Sequence, residues 1–91
     1  MINAPIPRQK PGVLMQEAAG RVVLLDTVGG EYFAMDEVGG RIWSLCNGRQ
    51  TVDEIAARIC EEFDTDMNTA RKDLDEFIEE LVRERLLSID A

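Results

Sequence analysis

The sequence predicts an α+β fold, a small antiparallel sheet followed by a bundle of three helices. Two observations carry this. Three β-rich runs follow one another through turns too short for a parallel crossover. After them come three runs with helical apolar spacing, each opened by an N-cap residue, Asp36, Thr51 and Asp66.

Residues 1–12, MINAPIPRQKPG, hold Pro5, Pro7 and Pro11 and are expected to form a flexible extended arm without regular backbone pairing, which leaves 13–91 as the folded domain. From Val13 two β-rich runs, VLMQEA and RVVLLD, flank Ala19 and Gly20, a short-hairpin signal. A second turn, TVGG, leads into the third run, EYFAM. Asp36 then caps a helix from Glu37 to about Cys46, with Val38, Ile42, Leu45 and Cys46 on one stripe and Trp43 beside it. Gly39 and Gly40 each cost about 1 kcal/mol relative to Ala inside a helix, so they are expected where this helix packs closely on a neighbour. Asn47 and Gly48 end it.

Thr51 and Glu54 form a capping box for the second helix, where Val52, Ile55, Ala56, Ile59, Cys60 and Phe63 fit the helical template without a miss. The third helix, from Asp66 to about Arg85, carries Met67, Ala70, Leu74, Phe77, Ile78, Leu81 and Val82 on a stripe wide enough to face a core and something else. LLSID closes the chain as a short extended tail. Three strands before three helices make a winged-helix-like arrangement.

Composition narrows the function. Ninety-one residues, 45% hydrophobic and 31% charged, suit one globular domain with a core just large enough to fold without staples. No apolar run approaches the roughly 20 residues a membrane span needs, and no secretory signal opens the chain, so a soluble cytoplasmic protein is expected. The chain has no His and only two Cys, Cys46 and Cys60, which argues against metal ligation and removes the usual general base near neutral pH. Both thiols are expected to be buried, reduced and to act as small hydrophobes. The formal net charge is -8, and Glu61 to Glu80 carries nine acidic residues against Arg71 and Lys72. Such a surface repels phosphate and, in the simplest reading, forms a solvated face.

The run LLDTVGGEYFAMDEVGGRIWSLCNGRQTVDEIAARICEEFD, Leu24 to Asp64, resembles the PqqD family, named for pyrroloquinoline quinone biosynthesis protein D. The resemblance rests on the aromatic third strand, the Asp ahead of the first helix, the small residues Val38 and Gly39, the Ile42–Trp43 pair, and NG before TVDEI. It extends over about Val13 to Leu87. It implies a RiPP precursor peptide recognition element, a non-enzymatic binder of the leader segment of a ribosomally made precursor peptide. The implied partners are that peptide and a modifying enzyme, either a radical SAM protein or a lasso-peptide leader peptidase. No cofactor is implied.

In that reading the leader adds as a fourth strand to the open edge of Glu31, Tyr32, Phe33, Ala34 and Met35. Alternation puts Tyr32 and Ala34 on one face and Phe33 and Met35 on the other, one pair toward the core and one toward the groove, without choosing between them. The resemblance further places Arg71, Leu74, Phe77, Ile78 and Leu81 near the groove, with Arg71 positioned for an acidic leader side chain; simple core packing is the competing role for each apolar member. A homodimer paired edge to edge is the competing explanation for the open strand. The rival function is a winged-helix DNA-binding regulator, which the acidic third helix opposes. An enzyme is opposed by the lack of a phosphate loop, a Cys triplet or a nucleophile elbow.

Overall fold

A computed structural model describes residues 5–90. Strands β1 (Ile6–Gln9), β2 (Val13–Ala18), β3 (Arg21–Asp26) and β4 (Glu31–Asp36) precede helices α1 (Glu37–Leu45), α2 (Val52–Phe63) and α3 (Met67–Arg83), and β5 (Leu87–Asp90) follows. β2, β3 and β4 form the expected three-stranded antiparallel sheet in chain order, so the third predicted strand is β4 and stands at an edge. No helix among the described residues is long and apolar enough to cross a membrane.

The β2–β3 turn has both central residues at positive φ, Ala19 at 53° and Gly20 at 77°, the two-residue geometry whose twist matches that of the flanking strands. Asp26 shapes the β3–β4 turn: its Oδ1 accepts from the N–H of Val28 and of Gly29, and its carbonyl accepts from Gly30. Lys10 Nζ lies 2.8 Å from Asp26 Oδ2 and ties the N-terminal segment to the sheet. That ion pair first, and the two turn N–H groups with it, hold the Asp26 carboxyl below its ordinary value of 3.8.

All three helix starts are built as their sequences dictate. Asp36 accepts from the N–H of Gly39, Thr51 and Glu54 make both halves of a capping box, and Asp66 accepts from the N–H of Thr69. α1 lies against β3 with Gly40 directly over Val22, where a methyl group at position 40 would collide with the Val22 side chain. The core fills the space between sheet and helices with Val22 and Leu24 from β3, Ile42 and Trp43 from α1, Ile55 and Ile59 from α2, and Leu74, Ile78 and Leu81 from α3. Cys46 is fully buried, and burial pushes its thiol up to about 12; Cys60 is only half-buried, short of the expectation.

The expectation of an unpaired arm over 1–12 is corrected for residues 6–9. β1 pairs antiparallel with β5, Ile6 opposite Asp90 and Gln9 opposite Leu87, so the two ends of the chain close a ribbon of their own. The prolines do not prevent it. Lys10 N–H donates to the Leu86 carbonyl, so by alternation Arg8 also faces β5, while Pro7 and Gln9 turn their backbone to the α1–α2 connection. There the Pro7 carbonyl accepts from Gly48 and the Gln9 N–H donates to Cys46, so Pro7 occupies a place where no donor is needed. Residues 1–4, the rest of the predicted arm, lie outside the described residues, as does Ala91.

Two outcomes check this fold. Gly40→Ala adds helix propensity worth about 1 kcal/mol but overpacks the α1–β3 contact at a cost of about 1 to 3 kcal/mol, so its urea midpoint falls. Because the folded-state pKa of Asp26 is depressed, its contribution is complete above the ordinary carboxylate value and is lost as pH falls through the folded value. The wild-type urea midpoint therefore drops between about pH 5 and pH 2 more steeply than that of Asp26→Asn.

Candidate functional site

Which groups of β4 are free follows from the register of the sheet. Thr27 N–H donates to the Gly12 carbonyl at 3.0 Å, and the two-residue turn makes Ala18 and Arg21 a hydrogen-bonded pair. Between these fixed points, residues 21, 23 and 25 direct their backbone groups to β2, while 22, 24 and 26 direct theirs to β4. Their partners Met35, Phe33 and Glu31 are thereby satisfied. Tyr32 and Ala34 turn their N–H and C=O groups away from the sheet, and no strand among the described residues meets them.

The side chains of β4 divide the same way as those of its neighbour. Val22 and Leu24 are buried, and Met35 and Phe33, directly opposite them, are half-buried against the core. Tyr32, 74% exposed, and Ala34 stand on the outer face, with Leu25 and Val23 beside them. This resolves the alternation left open by the sequence: the core-side pair is Phe33 and Met35, and the same pair borders the groove at the strand edge. Glu31 begins the strand, exposed.

Along the core-side border of the edge runs a hollow of about 370 Å³, where Met35, Val38, Gly39, Ile42, Asp73 and Phe77 meet. A second hollow of about 240 Å³ continues it between α1, α2 and α3 and shares Val38, Ile42 and Asp73. The absence of a side chain at Gly39 keeps the first one open. A Cβ there would stand 3.1 Å from Met35 Cβ and 3.2 Å from Phe77 Cζ. The other sheet edge, β2, has no such floor; its inward Met15 and Glu17 lie over the Arg41–Glu62 ion pair.

On α3 the residues placed near the groove by resemblance separate into three groups. Phe77 is half-buried and borders the hollow. Leu74 is fully buried, and Ile78 and Leu81 are nearly so, which fixes them as members of the packed core. Arg71 is bonded to Asp53 of α2 and to Asp75 of its own helix. At 100° per residue it sits about 120° around the helix from Phe77, so the expected position beside the groove is corrected. The sequence reading missed Asp73 and the groove role of Val38, Gly39 and Ile42. The signal lay in Gly39, four positions from Met35, whose tolerance of close approach was read as packing alone.

Comparisons with known proteins agree with this architecture. The family model of coenzyme PQQ synthesis protein D (PqqD) matches residues 21–87, from the start of β3 to the start of β5. The solved structure of TbiB1 in complex with the TbiA(beta) leader peptide is similar at 36% identity, with 89% of this chain and 94% of that chain covered and a TM-score of 0.78. A lasso peptide synthetase B1 complexed with its leader peptide shares the fold at 18% identity, with 91% and 98% covered and a TM-score of 0.77. The comparison with curated proteins found no match.

The division of α3 has a measurable consequence. Leu74→Ala should lose about 2 to 5 kcal/mol of stability in urea unfolding, as a buried leucine does on truncation. Phe77→Ala, at the rim of an open hollow, should lose distinctly less than Leu74→Ala in the same measurement.

Proposed function

The chain belongs to the PqqD family, and we propose that it is a peptide-recognition module, a RiPP recognition element that binds the leader segment of a ribosomally made precursor peptide and presents it to a modifying enzyme. The observation that carries this reading is the pair of outward backbone positions, Tyr32 and Ala34, beside an apolar hollow. A leader lying antiparallel to β4 extends the sheet by one strand, exchanges hydrogen bonds with those two residues and points alternate side chains toward Met35 and Phe77. The relative at 36% identity was solved with a leader peptide, which supports the same ligand class here.

Magnitudes show why both parts are needed. Each hydrogen bond contributes about 0.5 to 1.5 kcal/mol net, whereas ordering each leader residue costs about 1 to 2 kcal/mol. The edge alone does not hold a peptide. An apolar side chain seated in the groove adds about 1.5 to 3 kcal/mol, so two or three anchors bring the sum to micromolar affinity or better. Backbone pairing supplies sequence-tolerant affinity, and the hollow supplies selectivity. The reading includes no catalytic step by this chain, and the enzyme that receives the leader is of the radical SAM or leader-peptidase class that the family implies.

Calorimetric titration with the precursor, its leader half and its core half tests this. The leader half should bind with about micromolar affinity or tighter at one site per chain, and the core half should not. Binding that needs only the core half overturns the reading. Ala34→Pro removes an outward N–H that the fold does not use, so it should weaken leader binding by about 1 to 3 kcal/mol while circular dichroism stays that of the folded protein. Ala34→Ser, which keeps the N–H, should bind as wild type.

A further inference from the structure

We infer that the segment seated on β4 is cationic, with lysine or arginine among the side chains it turns toward α3. This deepens the strand-addition reading and rests on it. At 100° per residue, Asp73, Glu76 and Glu80 fall within an arc of about 60° on α3, and Phe77, which borders the hollow, lies about 40° beyond Asp73 on the inward side. The three carboxylates thus form the solvent-side rim of the apolar groove, and Asp73 lines both hollows. All three are exposed. Among the described residues none of them has a salt-bridge partner, although seven ion pairs form elsewhere, including those of Asp75 and Glu79 on the other flank of the same helix.

No basic residue of α3 falls inside that arc. Arg71 is held by Asp53 and Asp75 on the far flank, Arg83 is bonded to Glu79, and Lys72 lies outside the arc on the side away from Phe77. The nearest cation to the strand edge, Arg21, stands on the outer face of the sheet beside Ala34 and Asp36. A peptide entering the groove therefore meets unneutralised negative charge on its α3 side, in a chain whose formal net charge is already -8. An acidic peptide would be repelled; a basic one would be drawn in and paired.

Spacing fits the same occupant. Asp73 and Glu80 are about 10 Å apart along the helix axis, and alternate side chains of an extended strand recur about every 7 Å, so two successive groove-facing residues span the carboxylate row. Each could rest its methylene stem on Phe77 and Val38 and carry its charge to the rim. The expectation that Arg71 meets an acidic leader side chain is thereby replaced by the opposite sign of charge.

The probe is a displayed library of random peptides about ten residues long, enough to span the edge, selected against the whole protein at low salt. Binders should lose at least about tenfold in affinity against Ala34→Pro, and should be enriched in Lys and Arg at alternate positions. Against the triple variant Asp73→Asn, Glu76→Gln, Glu80→Gln their affinity should fall about tenfold at low salt and little at about 0.5 M salt. Selection on that variant should return apolar anchors without the basic bias. A control triple, Glu17→Gln, Glu61→Gln, Glu79→Gln, changes net charge equally away from the groove and should leave affinity within about threefold. Binders that depend on Ala34 but show no basic enrichment, or that lose as much affinity to the control triple, overturn the cationic occupant and leave strand addition standing. Binders indifferent to Ala34→Pro overturn both.

Discussion

Every part of the candidate site depends on how closely α1 lies against β3. Gly40 lets the helix settle onto Val22, and the Asp36 cap starts that helix directly at the end of β4, so strand and helix share one rigid junction. No chain remains at that point to continue the sheet. The same approach puts Gly39 beside Met35 and Phe77, and the missing Cβ leaves space where helix, strand and α3 converge. An open edge and an apolar floor are thus two consequences of one close contact.

An exposed edge with unpaired backbone is a hazard for a soluble protein, and edges that persist are commonly charged, covered or used. Here the two edges differ. β2 faces α1 across the Arg41–Glu62 pair, a polar border with little apolar area to offer. β4 has Glu31 at its start and the carboxylates of α3 across the groove, which disfavour pairing with a second acidic copy while leaving room for a basic partner. Elsewhere the chain closes its loose ends: β1 and β5 pair with each other, Lys10 reaches Asp26, and Pro7 and Gln9 hold the α1–α2 connection.

What could be read from the sequence was what is decided locally. The caps at Asp36, Thr51 and Asp66 involve residues three positions apart, and the Ala19–Gly20 turn and the apolar stripe of α2 are likewise contained in short windows. The β1–β5 ribbon was not legible, because its partners are about eighty residues apart and the prolines argue against a strand until their outward direction is known. The candidate site was half legible. The edge strand followed from element order, but which face of it meets the core required the register with Val22 and Leu24. On α3 the wide apolar stripe gave no sign that Leu74, Ile78 and Leu81 go to the core and leave Phe77 alone at the groove, since that depends on how the helix is rotated against α2 and the sheet. Arg71 was misplaced for the same reason, and Asp73 was taken as one more solvated charge.

Amide hydrogen exchange resolved by residue, with and without the leader, tests the central claim most directly. In the free protein the amides of Phe33 and Met35, bonded to β3, should be protected, and those of Tyr32 and Ala34 should exchange freely. With the leader bound, Tyr32 and Ala34 should become protected while Phe33 and Met35 keep their protection. A leader that binds and leaves the amides of Tyr32 and Ala34 exchanging as fast as before would contradict strand addition at β4.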